Sequence, residues 1–411
     1  MQHLASKGKR RKLNQFQDGR VVMASDFTNS LGELCDRGAY FIMQLFRHGD
    51  RSPLFIYPND PNRLDCWPEG LGKLTRLGKK QHYAVGKFLR SMYKDFVTSN
   101  PVEVSAISSA TERTLSSAQV NLAAFYAPEG RWKFEEKLNW QPIPVYTIPT
   151  KYDKYLSFNS ICPRAEEVYL ERIKAFKKTK EFRKHQRMLK TVSHYAGFDI
   201  SQGINVFGLF DILMGEKIHN LTFPEWANTY WDELEEIADI YFHYILNSPV
   251  FLKLRLGPLF QKITETMTKK IDGDTPDLKL QVYSAHDVNV AGALMVLNFT
   301  DMPLPPYCAT LLFELHEMPD ATRAVRLLYL NSTDPLKEIG KPHVLVLDAC
   351  SEFCPIEIFI KKIKHWVPDN WELECQIDAS NPCETDKTFD NVRPGVRPEH
   401  KIDAVLGIDE L

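Results

Sequence analysis

A chain of 411 residues, 44% hydrophobic and 25% charged, has ordinary globular composition and the length of two or three domains at about 150 residues each. Its 51 Lys and Arg nearly balance its 53 Asp and Glu, for a formal net charge of -2, so no global field draws nucleic acid toward it and no nucleic-acid partner is expected. The longest apolar runs, residues 40–46 and 288–297, fall far short of the ~18 to 20 residues needed to cross a bilayer, so no transmembrane segment is expected.

Residues 1–36 are polar and basic, with Lys7, Lys9, Arg10, Arg11 and Lys12 clustered and no apolar signal-peptide core after them, and read as a flexible tail. The run YFIMQLF at 40–46 is the pattern of a central buried strand. Leu74, Leu77, Val85, Phe88, Leu89, Met92 and Phe96 follow a 3.6 period, predicting a helix over 74–97 with Thr75 as its start signal. Residues 102–107 read as a strand and 111–125 as a helix stopped by Pro128 and Gly130. From 147 to about 270 the patterns are helical, without a clear strand. Strand signals return at 278–283, a helix follows at 288–297, and 310–315 with 325–330 reads as a hairpin around Pro319 and Asp320. The expected organisation is a tail over 1–36, a discontinuous α/β core over 37–146 and 271–375, a helical insertion over 147–270, and a flexible tail over 376–411.

Two short motifs share one context: Arg47-His48 and His286-Asp287 each follow a predicted buried strand. In open α/β sheets ligands sit beyond the carboxyl ends of strands, so these groups are expected to converge. An isolated loop histidine is ordinarily a surface hydrogen-bonding residue; two strand-end histidines beside charged partners reverse that weighting. Arg47 and Arg51 bracket His48, and two guanidinium forks around one imidazole suit a phosphate better than a carboxylate triad. A serine hydrolase fits poorly, because no G-x-S-x-G elbow is present.

The segment RHGDRSP at 47–53 with the distant HD at 286–287 resembles the histidine acid phosphatases of prostatic and lysosomal type. LTRLGKKQH (74–82), NLAAFYAPEG (121–130), WQPIPV (140–145), FPEWA (223–227), YSAHD (283–287) and LPPY (304–307) extend the resemblance over most of the chain. It implies an α/β fold with a phosphoglycerate mutase-like mixed sheet flanked by helices and an inserted, smaller helical cap domain. It implies that His48 is the nucleophile and becomes a phosphohistidine, that Arg47, Arg51 and His286 hold the phosphate, and that Asp287 protonates the leaving alcohol. No metal or other cofactor is implied. The chemistry agrees, since phosphoryl transfer gathers charge on equatorial oxygens, where preorganised cations help most. An acidic optimum follows: Asp287 must be protonated, and flanking arginines keep His48 neutral at lower pH.

One position departs from the family pattern. Counting back from Arg113-Thr114-Leu115, the family's third phosphate-binding arginine falls at Ile107 and an aspartate at Ala110. Either Ile107 merely extends the strand, or a phosphate clamp is lost and the chain is a weakened phosphatase or a silent, anion-binding interaction protein. Mutase-like transfer is disfavoured, because the HD pair supplies an acid where mutases use a glutamate elsewhere.

By the same resemblance, Cys350 pairs with Cys354 and Cys162 with Cys375. A third family bridge lacks its first partner, which falls at Gly215, and Cys308 lies near, but not at, the second position; Cys35, Cys66, Cys308 and Cys383 stay unassigned among the eight cysteines. Asn220, Asn298 and Asn331 begin glycosylation sequons, and Asn220 and Asn331 coincide with family sites. The resemblance thus implies a secreted or lysosomal address, although no signal peptide is visible. Expected partners are a small phosphomonoester or a phosphorylated protein or peptide, with a homodimer allowed.

Overall fold

The computed structural model describes residues 21–22, 39–201, 203–331, 339 and 342–377. At its centre is β2 (Ala39–Arg47), whose apolar run is buried on both faces. β2 pairs in parallel with β5 (Leu280–Ala285) and antiparallel with β6 (Thr310–Glu317). Beyond β5 lie β3 (Val104–Ser108) and then β4 (Val145–Thr147), both parallel to their neighbours. Beyond β6 lie β7 (Arg323–Leu330) and β8 (His343–Leu345), both antiparallel. The predicted hairpin is β6 and β7, closed by a turn in which the Met318 and Ala321 amides donate to the Thr322 and Met318 carbonyls. β9 (Cys354–Pro355) pairs with β7. The sheet is mixed, and its order explains why: parallel strands require helical crossovers, whereas the closing strands turn back directly.

Helix α1 (Arg76–Met92) starts where the sequence places it. The Thr75 hydroxyl accepts from the Gly78 amide at 3.1 Å, the N-cap arrangement that satisfies an orphan donor. The helix ends five residues before the predicted limit of 97; the Arg90 guanidinium reaches the Val97 and Thr98 carbonyls, holding the chain in a turn rather than a further helical one. Helix α2 (Glu112–Phe125) packs beside α1. Val85, Leu89 and Tyr93 with Ala118, Leu122 and Phe125 meet Ile42, Phe46, Val282 and Leu312 on one sheet face.

The alternate strand residues, Phe41, Met43, Leu45, Tyr283 and Ala285, face the second apolar cluster. That cluster continues into α3 (Pro163–Phe176), α4 (Lys180–Lys184), α5 (Gln186–Ala196), α6 (Gly203–Ile218), α7 (Glu225–Leu246) and α8 (Pro249–Ile271). It also takes in α9 (Asp287–Val296) and α10 (Ile356–Ile363); a short α11 (Trp371–Glu374) follows. The period-2 alternation of a strand buried on both faces therefore fixes two helical layers around one sheet.

Both family-implied disulfides are formed, Cys162–Cys375 and Cys350–Cys354. Cys66 and Cys308 are free thiols, and Gly215 sits on α6 against Trp67, so no third bridge forms there. Within the predicted N-terminal tail, Val21–Val22 adds a short antiparallel strand, β1, to β8. The rest of 1–36, with Cys35, lies outside the described residues, as do 378–411 with Cys383.

Candidate active site

The register of β2 on β5 aligns Arg47 with Ala285, so Arg47-His48 and His286-Asp287 leave neighbouring parallel strands at the same end. β3 ends beside them, with Ser108 opposite Ser284 and the Ser109 amide donating to the Ser284 carbonyl at 3.0 Å. Because β6 runs the other way, its entry loop lies at this end too. There the His48 amide donates to Ala285 O at 3.0 Å and the Cys308 amide to His48 O at 3.1 Å.

The loop after His48 is threaded tightly. A Cβ on Gly49 would lie 2.6 Å from the Gly78 carbonyl oxygen, so glycine is required by close backbone approach. Asp50 is fully buried; its amide donates to Gln81 Oε1 at 2.8 Å, and its Oδ2 accepts from His219 Nε2 at 2.7 Å and from the Thr75 hydroxyl.

His48 Nδ1 lies 2.8 Å from the Gly49 carbonyl. A carbonyl only accepts, so Nδ1 carries the proton and Nε2 keeps its lone pair. Burial, then the charges of Arg113, Arg47, Arg51 and His286, hold the His48 imidazolium well below the ordinary histidine range. The His286 ring stands 5.6 Å from that of His48. His286 Nε2 meets Ser109 Oγ at 2.8 Å and Nδ1 meets Arg113 Nη2 at 3.5 Å. A guanidinium only donates, so His286 is protonated on Nε2 and Ser109 accepts from it. Burial and the same arginines keep this ring neutral as well.

Asp287 opens α9. Its Oδ1 accepts from the Val288 amide at 2.8 Å and its Oδ2 pairs with Arg47 Nη2 at 2.7 Å. Burial raises its pKa despite the opposing charges of Arg47 and Arg51. Arg47 also donates to the Pro305 carbonyl at 2.7 Å and stacks its guanidinium 4.3 Å from the Tyr307 ring centre. Arg51 is gripped by Asp211 through Nη1 at 2.8 Å and Nη2 at 3.1 Å. The buried Nε–H groups of Arg47 and Arg51 have no hydrogen-bond partner among the described residues. An orphan buried donor costs about 1 to 3 kcal/mol, which an anionic oxygen would recover. Among the described residues no group of three or more His, Cys, Asp or Glu is placed to hold a metal ion.

All five site residues expected from the sequence, His48, Asp287, Arg47, Arg51 and His286, thus meet at one end of the sheet. The sequence that carries these strand-end motifs matches the family model described as histidine phosphatase superfamily (branch 2), over residues 41–330. The chain belongs to the histidine phosphatase superfamily. Human prostatic acid phosphatase is 34% identical over 360 residues, covering 85% of this chain and 90% of that protein. Human lysosomal acid phosphatase is 33% identical over 358 residues, covering 85% and 83% respectively. The phytase of Hafnia alvei in complex with tartrate shares the fold, with a TM-score of 0.63 at 18% identity over 83% of this chain and 99% of that one.

Within this histidine phosphatase the position that breaks the family pattern is structural. Ile107 pairs with Tyr283 and Tyr146 across the sheet and packs on the apolar cluster. A cation is present near the site nonetheless, for Arg113, on the first turn of α2, is only 5% exposed and lies against His286. Sequence reasoning left Arg113 without a site role and missed Ser109, Tyr307 and Asp211. Asp211 had a readable signal: it is a lone acid in the apolar run INVFGLFDILMG of α6, and a charge in such a run needs a partner.

Proposed function

We propose that this chain hydrolyses phosphomonoesters at acid pH through a phosphohistidine on His48, with Asp287 as proton donor and Arg47, Arg51, His286 and Arg113 around the phosphate. The observation that carries the reading is the His48 tautomer: Nδ1 is committed to Gly49 O, so Nε2 keeps its lone pair among the charges of Arg113, Arg47 and Arg51. Nε2 attacks phosphorus as the ester P–O bond breaks, and Asp287 gives its proton to the departing oxygen. Water then attacks phosphorus, the P–N bond breaks, and Asp287 takes up the water's proton. The cations act on charge that gathers on the equatorial oxygens.

The two shifts favour acid. His48 stays neutral below the usual histidine range while Asp287 stays protonated above the usual carboxylate range, so nucleophile and acid coexist in their working forms. The silent, anion-binding alternative is not favoured, because His48 and Asp287 are both buried at the same end of the sheet and Arg113 supplies a buried cation where Ile107 does not.

Residues 37–146 and 271–375 are assigned as the catalytic domain and 147–270 as its cap, a division supported by the contribution of α6 to the site from the inserted stretch. Small phosphomonoesters and phosphorylated peptides are the substrates this reading takes. A homodimer is supported by the outer edge of β4, on which Tyr146 is 65% exposed. A secreted or lysosomal address is supported by the disulfides and by exposed Asn220; no described helix is long and apolar enough to cross a membrane. The test is turnover of p-nitrophenyl phosphate between about pH 4 and 7 by the purified chain, with trapping of the phosphoenzyme. His48→Ala is expected to abolish both, and full turnover by that variant refutes the mechanism.

A further inference from the structure

Helix α6 reaches back to two consecutive residues of the nucleophile loop. Its Asp211 holds Arg51 by both Nη atoms, and His219, the residue just past its C-terminal end, holds Asp50. The Arg51 side chain is 2% exposed and that of Asp211 13%, so the carboxylate stands on the more open side of the pair. Its negative charge acts on Asp287 and Tyr307 as well as on Arg51. With Nη1 shared between Asp211 and the Ser52 carbonyl, the buried Nε–H is a donor left for a phosphate oxygen. Asp50 and His219 form their own ion pair. When Asp287 is protonated, Arg47, Arg51 and Arg113 against Asp211 leave positive charge matched to one phosphate, with no surplus for a second anion.

We propose that Asp211 is both a positioning residue for Arg51 and the determinant of charge selectivity, favouring phosphomonoesters whose leaving group is neutral or cationic over those carrying a further negative charge. This rests on the phosphatase reading above. Selectivity of this kind is a repulsive element directed against the wrong ligand, added to the attraction for the right one. Its size is about tenfold, the effect of one unit charge at roughly 12 Å in an effective dielectric of ~20.

The experiment compares kcat/KM for phenyl phosphate, 4-carboxyphenyl phosphate and 4-(aminomethyl)phenyl phosphate in the wild-type chain, Asp211→Asn and Asp211→Glu. Intrinsic leaving-group reactivity cancels when the ratios are compared between enzymes. Asp211→Asn is expected to shift the carboxyphenyl-to-phenyl ratio about tenfold toward the anion, chiefly through KM, and to lower kcat on phenyl phosphate as Arg51 loosens. Asp211→Glu, which keeps the charge, is expected to keep the wild-type ratio. A ratio unchanged in Asp211→Asn overturns the proposal. Should Asp211→Asn fail to fold with Arg51 left unpaired, the wild type decides through inhibition by phenylphosphonate and 4-carboxyphenylphosphonate: tenfold weaker binding of the carboxylate supports the proposal, and equal or tighter binding overturns it. A folded wild-type chain that binds these phosphonates but turns over no ester refutes the phosphatase reading instead, and the phosphonate ratio, read by calorimetry, still decides the role of Asp211.

Discussion

Replacing Arg113 tests whether it supplies the cation that Ile107 does not. The guanidinium is 5% exposed, lies 3.5 Å from His286 Nδ1 and stands first among the charges that depress the His48 pKa. A charge-assisted hydrogen bond is worth about 1.5 to 3 kcal/mol, so Arg113→Ala is expected to lower kcat/KM about 10- to 150-fold and weaken inhibition by phosphate or vanadate. The variant also removes a cation that disfavours protonated His48. The folded-state pKa of His48 then rises, neutral nucleophile is lost at a higher pH, and the acid limb of the kcat/KM profile moves upward. Steady-state kinetics on p-nitrophenyl phosphate across the acid range read both effects. Ile107→Arg is the companion: its side chain would leave an apolar cluster contact, with overpacking of about 1 to 3 kcal/mol, and no gain in rate is expected while Arg113 is in place. Arg113→Ala within twofold of wild type, with its acid limb unmoved, would refute the assignment; a large gain in Ile107→Arg would show that the third cation is missing after all.

Three further outcomes follow from the same geometry. Asp287→Asn is expected to slow alkyl phosphates far more than p-nitrophenyl phosphate, whose leaving group needs little protonation, and equal slowing of both would exclude Asp287 as the acid. Glu216 of α6, whose Oε1 accepts from Asn62 at 2.8 Å, is pushed up to about 8 by burial and by the adjoining Asp60 carboxyl. The folded chain thus holds a proton that the unfolded chain has released, and this stability, present at acid pH, is lost as pH rises toward 8. Glu216→Gln should flatten the fall in Tm between about pH 5 and 8, and an unaltered slope would show that the pair is not the source. Cys162 and Cys375 tie the start of α3 to the end of α11 across a sequence separation of 213, and replacing both with alanine should cost about 2 to 4 kcal/mol, seen as a lower denaturant midpoint; an unchanged midpoint would contradict that role.

What the sequence by itself determined is local. The apolar run of β2, the alternation across its two faces, the Thr75 cap and the hairpin strands are set by side-chain periodicity and nearest neighbours, and they emerge where the residues indicate. His48 and Asp287 were legible as site residues for a related reason: each motif follows a strand closely, and parallel strands bring such ends together. The short strands β1, β4 and β8 gave no such signal, because two or three residues carry too little pattern and are defined by the partner they pair with. The tertiary structure decided the rest of the site. Arg113 joins His286 because α2 begins where β3 ends beside β5, and Asp211 reaches Arg51 from a helix 160 positions away. Charge interactions depend on distance and burial, which folding sets without regard to separation along the chain, so a buried arginine and the acid that holds it can be matched only once the helices have packed against the sheet.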